Sequence, residues 1–179
     1  RATVMPGFNE GHMHLFPGAT ELDHLSLAGV RGFDALGSAV RSFAATSDAT
    51  LIIGETTDYT VIGVGEPLTR HHLDRMLPER PLLLYSPDHH TGWANTIALE
   101  QAGVLQGRKV GVGNEIVMSA EGLATGELRE GLAIEPVLML SGEGLRYRLG
   151  LSTGGDPLPP ATAAERAAAD YRNALHFLR

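Results

Sequence analysis

Apolar and polar positions along the chain switch between a strand-like and a helix-like period, and the switches outline an alternation of strands and helices. Thr3-Val4-Met5 runs into the Pro6-Gly7 break and reads as an opening strand that leads to Leu15. Leu22, Leu25, Leu27 and Val30 predict a second short strand within residues 21–30. Phe33, Leu36, Val40 and Phe43 recur at near-helical spacing, so a helix starts close to Asp34. Thr50-Leu51-Ile52-Ile53-Gly54 reads as a buried strand, and Thr60 to Gly65 as a loop or irregular hairpin. Thr69 is a good N-cap for a short helix carrying Leu73, Met76 and Leu77, which Pro78 ends. Pro81 to Ser86 is the clearest strand, followed by a polar loop from Pro87 to Trp93. Asn95 can cap a helix that packs Ile97, Leu99 and Ala102 and stops at Gly103. Glu115 to Met118 and Thr125 to Leu128 predict a hairpin around Ala120-Glu121-Gly122. Leu132 to Leu140 is apolar, but Pro136 interrupts any simple helix there. Gly142 to Pro160 reads as a linker or lid, and Thr162-Ala163-Ala164-Glu165 is a capping box opening a last helix with Ala168, Tyr171, Leu175 and Leu178 on its apolar stripe.

Composition narrows the classes. At 179 residues and 43% hydrophobic, the chain can build one sizeable core or two small ones. A net charge of −7, with no stripe of Lys and Arg, argues against nucleic acid. No apolar run approaches the ~20 residues a bilayer span needs. The absence of cysteine excludes disulfides and thiolate metal sites, so any metal sits on His, Asp or Glu. That is compatible with the cytoplasm, which is the expected location. The chain opens at Arg1 almost directly in a strand and closes at Arg179 inside a helical pattern, so it is expected to be a piece of a longer protein.

Candidate chemistry begins at His12-Met13-His14. On an extended segment these two imidazoles share one face, with Cα atoms roughly 6.6 Å apart, and both can reach one cation. The bare spacing is weak, since eight histidines in a chain this long give such a pair by chance in roughly one chain of three. A pair of surface histidines is the plain reading of the spacing alone. Gly63-Val64-Gly65 and Gly111-Val112-Gly113 lack the third glycine and following helix of a dinucleotide site, and no Gly-x-Ser-x-Gly elbow is present. His71 and His72 are adjacent on a helix and point apart, while His24 and His176 read as surface or packing residues.

Several blocks together resemble the amidohydrolase superfamily, in its YtcJ-like branch that includes N-substituted formamide deformylases (amidohydrolase family 3). Pro6-Gly7-Phe8-Asn9-Glu10-Gly11-His12-Met13-His14 is similar to the first-strand signature Pro-Gly-Phe-(apolar)-Asp-x-His-x-His, with Asn9 and Glu10 departing from it. Asp88-His89-His90-Thr91-Gly92-Trp93-Ala94-Asn95-Thr96-Ile97-Ala98-Leu99 resembles Asp-Gly-His-x-x-Trp-x-Asn-Ser-x-Ala-Leu, with His89 in place of Gly and Thr96 in place of Ser. Asn114 to Glu130 resembles a third block that ends Thr-Gly-x-Leu-x-Glu.

The resemblance implies an α/β chain. Residues 1–20 would form the first strand of a TIM-like (β/α)8 barrel with its loop, residues 21–155 a long α/β insertion, and residues 156–179 a linker and a helix returning to the barrel. The barrel would be incomplete here, with further ligands and the catalytic groups beyond Arg179. It implies a divalent metal, zinc by preference, on His12 and His14, with Glu130 the better guess for a further ligand within the chain. Glu10 is near enough in sequence to support a ligand ring, His90 is the expected substrate or supporting contact, and Asp88 and Trp93 complete the candidate set. Asp88 ending its strand, Trp93 packing in the core and Glu130 facing solvent are the plainer readings of those three. The implied function is hydrolysis of an amide-type C–N bond in a small molecule by a metal-activated water, the chain alone being inactive. A non-catalytic small-molecule-binding or assembly module derived from such an enzyme is the alternative. No nucleic-acid or membrane partner is expected; because a lone barrel strand and helix would expose apolar faces, the isolated chain is expected to form a homo-oligomer or otherwise self-associate, or else to rely on the α/β insertion as its stable core.

Overall fold

The computed structural model describes residues 15–141 and 175–176. Glu10, His12, His14 and the capping box at Thr162 lie outside the described residues, while Leu175 and His176 are helical and exposed. The elements run α1 (Leu15–Glu21), β1 (Leu25–Ser26), α2 (Phe33–Ala44), β2 (Ile52–Glu55), α3 (Arg70–Met76), β3 (Leu82–Tyr85), β4 (Thr91–Ala94), α4 (Thr96–Gln101), β5 (Glu115–Met118), β6 (Ala124–Arg129) and α5 (Gly131–Leu138).

Among the described residues the strands form one sheet in the order β1-β2-β3-β4-β6-β5. β1, β2 and β3 are parallel, each joined to the next by a helix, and the pairings from β3 onward are antiparallel. The alternation of side chains along β2 and β3 splits the core in two. Ile52, Leu82 and Leu84 meet Leu36 and Val40 of α2 and Leu73 and Met76 of α3 on one face. Ile53 and Leu83 meet Ala98 and Leu99 of α4 and Ala133, Ile134 and Val137 of α5 on the other. A strand covered on both faces reads as a continuous apolar run, which is why these two were the clearest in the sequence.

Two local readings need correction. β4 occupies Thr91–Ala94, part of what the sequence presents as a polar loop. Its four residues carry one Gly and one Thr and show no alternation, yet all are buried: β3 and β6 flank its edges, Ala94 lies in the core with α4 and α5, and Trp93 in the core with α2 and α3. α5 continues through Pro136. The proline removes one helical N–H, but it stands only in the second turn of the helix, and burial of Ala133, Ile134 and Val137 offsets that loss. α1 takes in Pro17 and Gly18, and Pro17 falls in the first turn, where its missing N–H has no helical partner to lose.

Two contacts seat the helices on the sheet. Gly126, at φ 111°, lets the backbone of Arg70 approach β6; a Cβ there would lie 2.5 Å from the Arg70 nitrogen. Asn95 is fully buried and caps α4 by accepting from the Ala98 N–H at 3.1 Å. The same oxygen accepts from Leu82 N–H at 3.0 Å, and its amide donates to Leu77 O and Arg80 O at 2.9 and 2.8 Å. One side chain thus ties α3, β3 and α4 together. None of the helices among the described residues is long and apolar enough to cross a membrane. Asn95→Ala removes the cap and strands buried backbone groups, so it is expected to cost about 2–4 kcal/mol, measured as a lowered urea midpoint with an unchanged slope.

Candidate functional site

The C-terminal ends of the parallel strands carry the polar groups that the core cannot accept. β2 ends in Glu55, whose side chain is 6% exposed. His24, just before β1, donates Nδ1–H to Glu55 Oε1 at 2.7 Å. The other oxygen, Oε2, is buried and has no hydrogen-bond partner. His89, in the loop after β3, points Nε2 toward it at 4.0 Å and toward Glu21 Oε1, at the end of α1, at 3.3 Å. One ligand-type atom from each of Glu21, Glu55 and His89 lies within 4.8 Å of the others.

The backbone here is strained. Among the described residues only Thr56, His89 and Glu130 are non-glycine residues with positive φ, at 60°, 59° and 67°. Each such residue costs about 1–2 kcal/mol. Two directly follow the carboxylate or carry the imidazole of this cluster, and the third pairs with His90. The Glu21 carboxylate, then the nearby charge of Glu55, holds the His89 pKa above its ordinary value, against the opposing effect of partial burial.

The expected site residues divide into three groups. Asp88 is drawn into the loop: it accepts from Ser86 Oγ at 2.6 Å, His90 N at 3.2 Å and Tyr59 Oη at 3.2 Å. The Ser86 hydroxyl first, with the His90 N–H and Tyr59 hydroxyl, holds its pKa below the usual carboxylate range. Trp93 is 3% exposed within the core and meets the Tyr59 ring edge-on at 5.3 Å. His90 and Glu130 come together, Nδ1 to Oε2 at 3.0 Å, because β4 and β6 pair and Glu130 N–H donates to His90 O at 2.8 Å. The Asp88-His89-His90 run therefore sends its three side chains to three different places.

Sequence reasoning passed over Glu21 and Glu55 and set His24 aside. The signal for Glu55 was present: a carboxylate directly after Leu51-Ile52-Ile53-Gly54, at the end of a strand with no polar residue. His71 and His72 diverge as expected, the first toward Asp74 and the second back to Thr69.

A parallel α/β unit with carboxylate and imidazole groups gathered at its strand ends is the setting in which open α/β folds keep their sites. The chain matches the model of the amidohydrolase family over residues 2–177 and belongs to that family. It is 30% identical over 128 residues to YtcJ of Bacillus subtilis, an amidohydrolase by name, the match covering 71% of this chain and 24% of that protein. It is 29% identical over 126 residues to the Arabidopsis thaliana protein LONG AFTER FAR-RED 3, covering 70% of this chain and 21% of the relative. These matches thus span about a quarter of the curated relatives' length. An uncharacterised metal-dependent hydrolase from Pyrococcus horikoshii shares the fold, with a TM-score of 0.51 at 18% identity over 79% of this chain and 28% of that one.

The hydrogen bond to Glu130, and then its charge, raises the pKa of His90. A raised folded-state value means that the pair's contribution is fully present below the unfolded pKa near ~6.5 and is lost as pH rises through the folded value. Glu130→Gln is expected to move the His90 titration down toward ~6.5, read from its ring-proton shifts by NMR in metal-free protein. An unmoved titration would show that the pair does not form.

Proposed function

We propose that the protein carrying this chain is a metal-dependent hydrolase that opens an amide-type C–N bond of a small molecule. Family membership over residues 2–177 carries the reading, because it takes in the His12-Met13-His14 segment together with the Asp88–Leu99 and Asn114–Glu130 blocks. Two neutral imidazoles one residue apart in sequence are a donor pair suited to zinc. When bound, a divalent metal supplies a Lewis acid and a water whose pKa falls to ~7. On this reading His12 and His14 hold the metal, and Glu10 fixes a ring by accepting its free N–H. Glu130 has two roles open to it, as a further ligand or as the partner that favours the protonated form of His90 and orients its ring. His90, 65% exposed at its side chain, can then donate a hydrogen bond to a substrate oxygen. Asp88 shapes the loop that presents it, and Trp93 backs that loop through Tyr59.

His12→Ala and His14→Ala in the intact protein are expected to lose bound metal and to lower kcat/KM by roughly three orders of magnitude, measured on amides drawn from a panel of N-acyl and N-formyl amines. Full activity without metal, or in both variants, would overturn the assignment. The 179-residue chain by itself is expected to show no turnover, since two imidazoles leave a metal short of ligands.

A further inference from the structure

Glu21, Glu55 and His89 come from three separate elements and turn their polar atoms onto one point. Ligand atoms arranged tetrahedrally about zinc at 2.0–2.2 Å stand roughly 3.4 Å apart. Here His89 Nε2 lies 3.3 Å from Glu21 Oε1 and 4.0 Å from Glu55 Oε2, so the group is the size of a coordination shell opened slightly at one edge.

An ion pair alone leaves this arrangement poorly explained. His89 Nε2 has a single N–H, and Glu21 is the acceptor in reach. Glu55 Oε2 is then a buried carboxylate oxygen without a hydrogen bond, although buried charges are ordinarily paired or coordinated. Its partner oxygen is held by His24, which fixes the carboxylate so that Oε2 faces His89. A metal-bound carboxylate with its second oxygen anchored to a neighbouring donor has this same form. His89 also adopts a left-handed backbone that glycine would take without strain, so the imidazole is kept there against conformational preference.

We propose that Glu21, Glu55 and His89 bind a divalent cation, through Glu21 Oε1, Glu55 Oε2 and His89 Nε2, without needing a ligand from His12 or His14. Two carboxylate oxygens and one imidazole nitrogen suit zinc better than the all-oxygen ions calcium and magnesium. Three protein ligands leave a fourth position, which opens to solvent beside His89 and Glu21, 44% and 34% exposed at their side chains. The cation would lock α1 and the loop after β3 onto the end of β2.

The test uses the intact protein with His12→Ala and His14→Ala together, so that only the new site is read. Zinc content after dialysis, and the visible absorption of bound cobalt(II), are expected to show one equivalent. His89→Gly in that background is expected to abolish it while keeping or raising the melting temperature, because glycine relaxes the backbone at φ 59°. Glu55→Gln should weaken binding at least about a hundredfold, and His24→Ala by roughly ten- to a hundredfold. No bound cation in the His12/His14 double variant, or full affinity retained after both His89→Gly and Glu55→Gln, would overturn the proposal. Metal on His12 and His14 is read separately in protein carrying His89→Gly alone, so the hydrolase reading can fail while this site stands, and the reverse.

Discussion

Burying Glu55 at the end of β2 places a charge where the sheet leaves its core, and the cost of that burial governs what stands around it. Taking a carboxylate out of water costs several kcal/mol unless donors or cations replace the solvent. β2 offers no donor of its own, since Ile52, Ile53 and Gly54 are covered on both faces. Compensation must come from outside the strand. His24 supplies a hydrogen bond to one oxygen, and α1 and the loop after β3 bring Glu21 and His89 toward the other. The strain at Thr56 and His89 is the local consequence, as the chain turns sharply at both strand ends to keep these groups together.

The change from parallel to antiparallel pairing at β3 determines the rest. A parallel neighbour would require a crossover, whereas β4 returns directly through the turn at Pro87-Asp88-His89-His90. That turn is over-determined: Ser86 N–H donates to Thr91 O, His89 N–H to Ser86 O, and Asp88 collects the Ser86 and Tyr59 hydroxyls. A residue held in so many bonds can carry an unfavourable φ, which is why His89 stands where the resembling pattern has glycine.

Much of this architecture was legible in the sequence. Continuous apolar runs marked β2 and β3, side-chain caps at Thr69 and Asn95 marked α3 and α4, and a turn between two short runs marked the β5–β6 hairpin. Each is a local signal, written within a few residues. β4 was hidden because its burial comes from the strands and helices that other parts of the chain pack around it rather than from its own composition. The pairing of His90 with Glu130 was hidden for the same reason, although both residues had been singled out for separate roles. Glu21, Glu55 and His89 are evenly spaced along the chain, but only the parallel packing of β1, β2 and β3 turns that spacing into proximity.

The two polar clusters are not mechanically independent. His89 and His90 are consecutive, and one tight turn sets the directions of both, the first toward Glu55 and the second toward Glu130. That turn is fixed by His89 N–H donating to Ser86 O and His90 N–H donating to Asp88 Oδ1. His90 O in turn accepts from Glu130 N–H at the start of α5. Glu130 is itself held at φ 67°, so strained residues stand at both ends of this path. The Glu21–Glu55–His89 cluster on the parallel side of the sheet and the exposed His90–Glu130 pair on the antiparallel side therefore hang on one turn, through two consecutive residues and the bond from Glu130 N–H to His90 O.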